Sequence, residues 1–146
     1  SGPSEPGDAF YFPTHAKSEL IARGYISDQS SHARGISVDL TLVRLGNGAR
    51  PESGAVRPDP EQRPSSCKAR GGARHDPAEV DMGTSFDCFD RASWTRSTGL
   101  SAAQRGNRRR LVEVMGRFGF RNYHREWWHF TFKGAGAAPV LDRTID

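Results

Sequence analysis

Apolar and polar positions alternate along residues 36–43. Ile36, Val38, Leu40 and Leu42 fall on one face, and Ser37, Asp39 and Thr41 on the other. A two-residue period predicts a strand with one buried and one polar side. A second pattern has helical spacing, with Leu111, Val114, Met115 and Phe118 as the apolar face. Ser101 with Gln104 three positions on reads as a capping box, and Gly119 as the stop. Residues 126–132 (EWWHFTF) are aromatic and β-branched, which predicts another strand. Between these lie a short extended stretch at 79–90, a polar loop at 26–35 and a short helical pattern within 10–25. Residues 1–9 read as a flexible tail, and 134–146 as loop. Residues 46–78 follow no period and are rich in Gly, Pro and Arg, so they read as a long irregular insertion.

Composition narrows the class. The chain has 146 residues, about one domain by length, and 35% of them are hydrophobic. Its aromatic content argues against a disordered chain. No apolar run approaches the length of a membrane span, so no span is expected. Lys and Arg total 21 against 17 acids, for a net charge of +4. The densest basic cluster is Arg105, Arg108, Arg109 and Arg110, which carries no interleaved aromatic. It reads as a solvated helix face, and no nucleic-acid partner is expected.

Candidate chemistry falls into two groups. His32 stands in the loop before the first strand, and Asp39 on that strand's polar side. Alone, the pair fits a loop His and a hydrogen-bonded acid better than it fits two metal ligands. Glu126 and His129 flank two tryptophans. Nearby indoles would desolvate Glu126 and raise its pKa toward the range of a general base. An aromatic core strand with a satisfied His fits equally well. Taken together, His32, Asp39 and His129 supply three zinc ligands with a fourth position open, and Glu126 supplies a base. His15 and His75 read as solvated loop residues, and His124 as peripheral.

Four ordered segments sharpen this picture. SSHARGISVDLTL (30–42) resembles the Ser-x-His-x-x-Gly-x-x-x-Asp signature of VanX-type D-alanyl-D-alanine dipeptidases. EWWHF (126–130) resembles that family's Glu-x-x-His signature, and DMGTSFDCFD (81–90) and NRRRLVEVM (107–115) are similar to further family segments in the same order. The resemblance implies an α+β fold, a small antiparallel sheet flanked by helices of the hedgehog/D,D-peptidase kind, over residues 10–146. It implies one Zn2+ per chain on His32, Asp39 and His129, with Glu126 as the catalytic base. Asp87 would hold the ammonium of a small dipeptide substrate, and Ser30 and Ser31 would lie near its carboxylate. The implied role is hydrolysis of D-Ala-D-Ala or related dipeptides, in cell-wall metabolism or glycopeptide resistance. The alternatives are a D,D-carboxypeptidase acting on stem peptides and a zinc-bearing module without activity.

The family carries an arginine in a Gly-Tyr-Arg-Pro segment well ahead of the zinc loop. Only 31 residues precede His32, and no such segment occurs among them. The expectation is therefore the C-terminal part of the domain, with a separate N-terminal segment or self-association as partner. Cys67 and Cys88, the only cysteines, are expected to form a disulfide that ties the insertion to the core. That bond favours a periplasmic or secreted location over the cytoplasm.

Overall fold

The computed structural model describes residues 11, 19, 31–45, 66–68, 78–136 and 139. Within them, strands β1 (Ser37–Asp39), β2 (Phe120–Asn122) and β3 (His129–Phe132) form an antiparallel sheet of order β1-β3-β2. Helix α1 (Ala102–Arg117) packs against β2. The α+β arrangement expected from the sequence is present. The 1–9 tail and most of the 46–78 insertion lie outside the described residues, as does nearly all of the 10–25 helical pattern. Among the described residues, no helix is long and apolar enough to cross a membrane.

Helix α1 begins as its sequence dictates. The Ser101 hydroxyl accepts from the Gln104 backbone N–H at 3.2 Å, and the Gln104 side chain accepts from the Ser101 N–H at 2.9 Å. Two otherwise unsatisfied donors are thereby paired. At the other end Gly119 takes a φ of +84°, which a residue with a Cβ adopts only under strain.

The buried face of α1 is rotated from the predicted one. Arg108 and Leu111 are buried and Val112 and Met115 pack beside the core, whereas Val114 and Phe118 are exposed. Arg108 displaces them because its charge finds carbonyl partners. Its Nε donates to Met82 O at 2.7 Å, and its Nη1 to Ala92 O at 2.9 Å and Trp94 O at 2.7 Å. The guanidinium also lies 5.9 Å from the Trp127 ring centroid. Burial pulls its pKa down to about 10, so it remains charged at neutral pH. Arg108, only 1% exposed, therefore does not belong to a solvated basic face. It fastens α1 to the 82–94 segment.

The strands are shorter than the pattern predicts. After β1, Leu40 N still donates to Trp128 O at 3.1 Å, and the chain then crosses to pair Val43 with Glu79. The alternation also inverts within β1: Ser37 is buried, and Val38 is 41% exposed. The reason is position. Helix α1 covers β2, at the opposite side of the sheet from β1, while the Ser37 hydroxyl bonds Thr131 Oγ1 at 2.8 Å. The predicted 126–132 strand begins only at His129, because residues 126–128 form a turn. β2 has no sequence signal, since its three residues (FRN) are too few to display a period.

Cys67 and Cys88 form a disulfide with their Cα atoms 5.4 Å apart, and both are fully buried beside Met82, Trp127 and Trp128. The bond closes a loop spanning 21 residues in sequence. By loop-closure entropy it contributes about 3 kcal/mol. Denaturant unfolding with and without reductant should differ by about that amount, and unfolding without reductant should expose no titratable thiol.

Candidate active site

Antiparallel pairing of β1 with β3 sets Asp39 directly opposite His129. The same ladder pairs Ser37 with Thr131. His32 arrives from the preceding turn, closed by hydrogen bonds from Gly35 N to His32 O (2.9 Å) and from Ile36 N to Ser31 O (3.2 Å). Gly35 has a φ of +65°, so glycine suits this turn.

Three donor atoms converge. His129 Nδ1 lies 3.0 Å from Asp39 Oδ1 and 3.1 Å from His32 Nε2, and His32 Nε2 lies 3.4 Å from Asp39 Oδ1. Tetrahedral ligands held about 2.0–2.1 Å from one ion stand roughly 3.3 Å apart. The triangle fits that spacing, and its two imidazoles and carboxylate suit a divalent transition metal. Two ring nitrogens aimed at one point beside a carboxylate also form an arrangement that a cation relieves. Among the described residues, this is the group of His, Cys, Asp and Glu able to hold a metal ion.

The surroundings orient the ligands. The other ring nitrogen of His129, Nε2, lies 3.4 Å from both Ser31 Oγ and Thr131 Oγ1. Either hydroxyl can accept from Nε2–H in the tautomer that leaves Nδ1 free to bind a metal. The Tyr123 ring stands edge-on, 6.1 Å from the His129 ring. Sequence reasoning missed Ser37, Thr131 and Tyr123. The two-residue period that put Asp39 on the polar face also puts Ser37 there, and could have marked Thr131 two residues from His129.

Glu126 is 8% exposed, with Oε2 3.9 Å from His129 Nδ1. Desolvation pushes its pKa up to about 7; His129 opposes the rise, while Asp39 and Asp87 add to it. Its chain neighbours Trp127 and Trp128 are almost fully buried, and the Phe86 ring lies 5.2 and 6.0 Å from theirs. Asp87 keeps an exposed edge, yet surrounding protein and then Asp39 raise its pKa, with His32 pulling it down. Its φ of +53° is rare for a residue with a side chain. The structure thus gathers His32, Asp39, His129, Glu126, Asp87 and Ser31 within one electrostatic field. Ser30 lies outside the described residues. His124 is exposed and packs against Trp94 and Tyr123.

Residues 73–146 match the Peptidase_M15 family, D-ala-D-ala dipeptidase. That match is half of the chain and contains Asp87, Glu126 and His129. The chain belongs to this family. It is 32% identical over 123 residues to a D-alanyl-D-alanine dipeptidase of Enterococcus faecium, covering 84% of this chain and 46% of the relative. It is 33% identical over 120 residues to one of Enterococcus faecalis, covering 82% and 45%. With one of Streptomyces coelicolor the figures are 31% over 125 residues, 86% and 48%. Alignments of that extent reach well ahead of residue 73, toward the segment holding His32 and Asp39. The chain spans just under half the length of these curated relatives. This D-ala-D-ala dipeptidase family member therefore presents a candidate metal triad and a buried acid together.

The raised pKa of Glu126 has a measurable consequence in the metal-free chain. Unfolded, the carboxyl titrates near 4.5; folded, near 7. Between those values the native state keeps a proton that the unfolded state has lost, so stability falls as pH rises. The loss is on the order of 3 kcal/mol and is complete above pH 7. Unfolding in chelator at pH 5 and pH 8 should show it, and Glu126→Gln should flatten it.

Proposed function

We propose that the chain is the metal-bearing part of a zinc-dependent D,D-dipeptidase that hydrolyses D-Ala-D-Ala or a related small dipeptide. The observation that carries this reading is the triangle of His32, Asp39 and His129 donors beside the desolvated Glu126. Family membership supports it, as do relatives named D-alanyl-D-alanine dipeptidase.

His32 Nε2, Asp39 Oδ1 and His129 Nδ1 would hold the zinc. Bound there, it supplies a Lewis acid for the peptide carbonyl and lowers the pKa of a water. Glu126, a buried carboxyl beside His129, would take the proton from the attacking water and pass it to the departing amine. Asp87, crowded by protein and by Asp39, is paired when the dipeptide's free ammonium meets it. A longer peptide has no such ammonium at that place, which favours dipeptides over stem peptides. Ser31, whose hydroxyl lies 3.4 Å from His129 Nε2, would lie near the substrate's carboxylate in this reading. The buried Cys67–Cys88 bond supports an oxidising location, the periplasm or the cell exterior. Cell-wall turnover or glycopeptide resistance would follow from the removal of D-Ala-D-Ala.

The test is direct. The purified chain should bind one zinc and release D-alanine from D-Ala-D-Ala faster than from its N-acetylated form. Glu126→Gln should keep the zinc and lose on the order of a hundred- to ten-thousand-fold in kcat, whereas Asp39→Asn should lose the metal. Zinc bound with no turnover of either substrate would rule out both peptidase readings. Faster cleavage of the blocked substrate would instead favour a carboxypeptidase.

A further inference from the structure

The segment from Glu126 to His129 must fix two functional side chains at once, yet its own backbone closure is weak. His129 N reaches Glu126 O at only 3.4 Å. Backbone bonds from Glu126 N to Tyr123 O and from Tyr123 N to His129 O, both 3.0 Å, brace it from outside, and a side chain ties its two ends together. Asn122, at the end of β2, directs its Nδ2 to Glu126 O and to His129 O, both at 3.0 Å, and to Trp127 O at 3.4 Å. Its Oδ1 accepts from the Thr95 hydroxyl at 2.5 Å. Carbonyls on one side and a hydroxyl donor on the other leave only one orientation of the amide that satisfies every partner. Thr95 is itself tied back, its N–H donating to His124 O at 2.9 Å.

We infer that Asn122 is a positioning residue: one amide clasps the carbonyls of Glu126 and His129 and so sets the distance between the acid and the metal-facing imidazole. The inference rests on the dipeptidase reading for its chemistry, but not for its geometry. Asn122 bonds main-chain carbonyls and the Thr95 hydroxyl rather than the side chains of the His–Asp triangle. It acts through the turn, and displacements of about 1 Å at such sites cost on the order of a hundredfold in rate. Residues that orient metal ligands from behind typically contribute roughly 10- to 100-fold in metal affinity.

Three variants test it. Asn122→Asp keeps the shape, removes both donors and faces a carboxylate toward three carbonyls. Asn122→Ala removes the clasp outright. Thr95→Val keeps the amide but frees it to turn. Ser101→Ala is the control, because it loses the cap of α1 and with it some stability, without touching the turn. Zn2+ affinity is measured by competition with a chromophoric chelator, well below each variant's unfolding temperature. Both Asn122 variants should bind zinc roughly 10- to 100-fold more weakly, Thr95→Val should shift in the same direction by less, and Ser101→Ala should match the wild type. In turnover, the Asn122 variants should lose kcat with KM for D-Ala-D-Ala nearly unchanged. Folded Asn122 variants, or Thr95→Val if those do not fold, that bind Zn2+ as tightly as the wild type would overturn the inference. The two readings separate cleanly: a wild-type chain that binds zinc without releasing D-alanine sinks the dipeptidase, and the affinity comparison still decides Asn122.

Discussion

A slip of one residue between β1 and β3 would carry Asp39 to the opposite face of the sheet and remove it from His129. The register of this ladder, Asp39 against His129 and Ser37 against Thr131, is therefore the constraint on which the rest of the site depends. It brings together two residues 90 positions apart in sequence. It also puts the hydroxyls of Ser37 and Thr131 on the side of His129 away from the metal-facing nitrogen. The other metal-side residues hang on the ends of this ladder: the His32 turn before β1, and the Glu126 turn before β3.

The second constraint is the dry interior beneath that turn. Trp127 donates from its indole nitrogen to Thr84 Oγ1 at 2.8 Å, and its backbone N–H to Ser93 O at 3.1 Å. The 82–94 segment that receives these bonds is also gripped by Arg108. Helix α1 thus reaches the Glu126 turn indirectly: the helix holds the segment, and the segment holds Trp127, the residue next to the acid. A cation balanced by carbonyl dipoles does this without placing a counter-charge near the site.

Much of the site was legible in the sequence because its chemistry uses distinctive residues in short motifs. His32, Asp39, Glu126 and His129 could be named before any geometry was known, and the capping box at Ser101 and the Cys67–Cys88 pair were also readable. What was not legible depends on tertiary context. Arg108 reads as solvated until three carbonyls are seen around it. Val38 reads as buried until α1 is seen to cover the other side of the sheet. β2 is too short to leave a period, and Asn122 is an ordinary asparagine until its amide meets the turn. Local pattern reports what a residue prefers; these four positions are decided by what stands opposite them.

The placement of Cys88 carries a final implication. It is the immediate neighbour of Asp87, and it is joined to Cys67 in the fully buried core. The metal-side residues are fixed by sheet register, whereas Asp87 is fixed by a covalent bond next door. The two ends of the site are thus anchored by unrelated forces. On the proposed function, changes around the sulfur bridge act first on the Asp87 end and changes in the ladder first on the His–Asp triangle, with the charges of Asp39 and His32 linking the two. On that reading, ligand choice and metal binding have separate structural handles: one covalent, one a strand register.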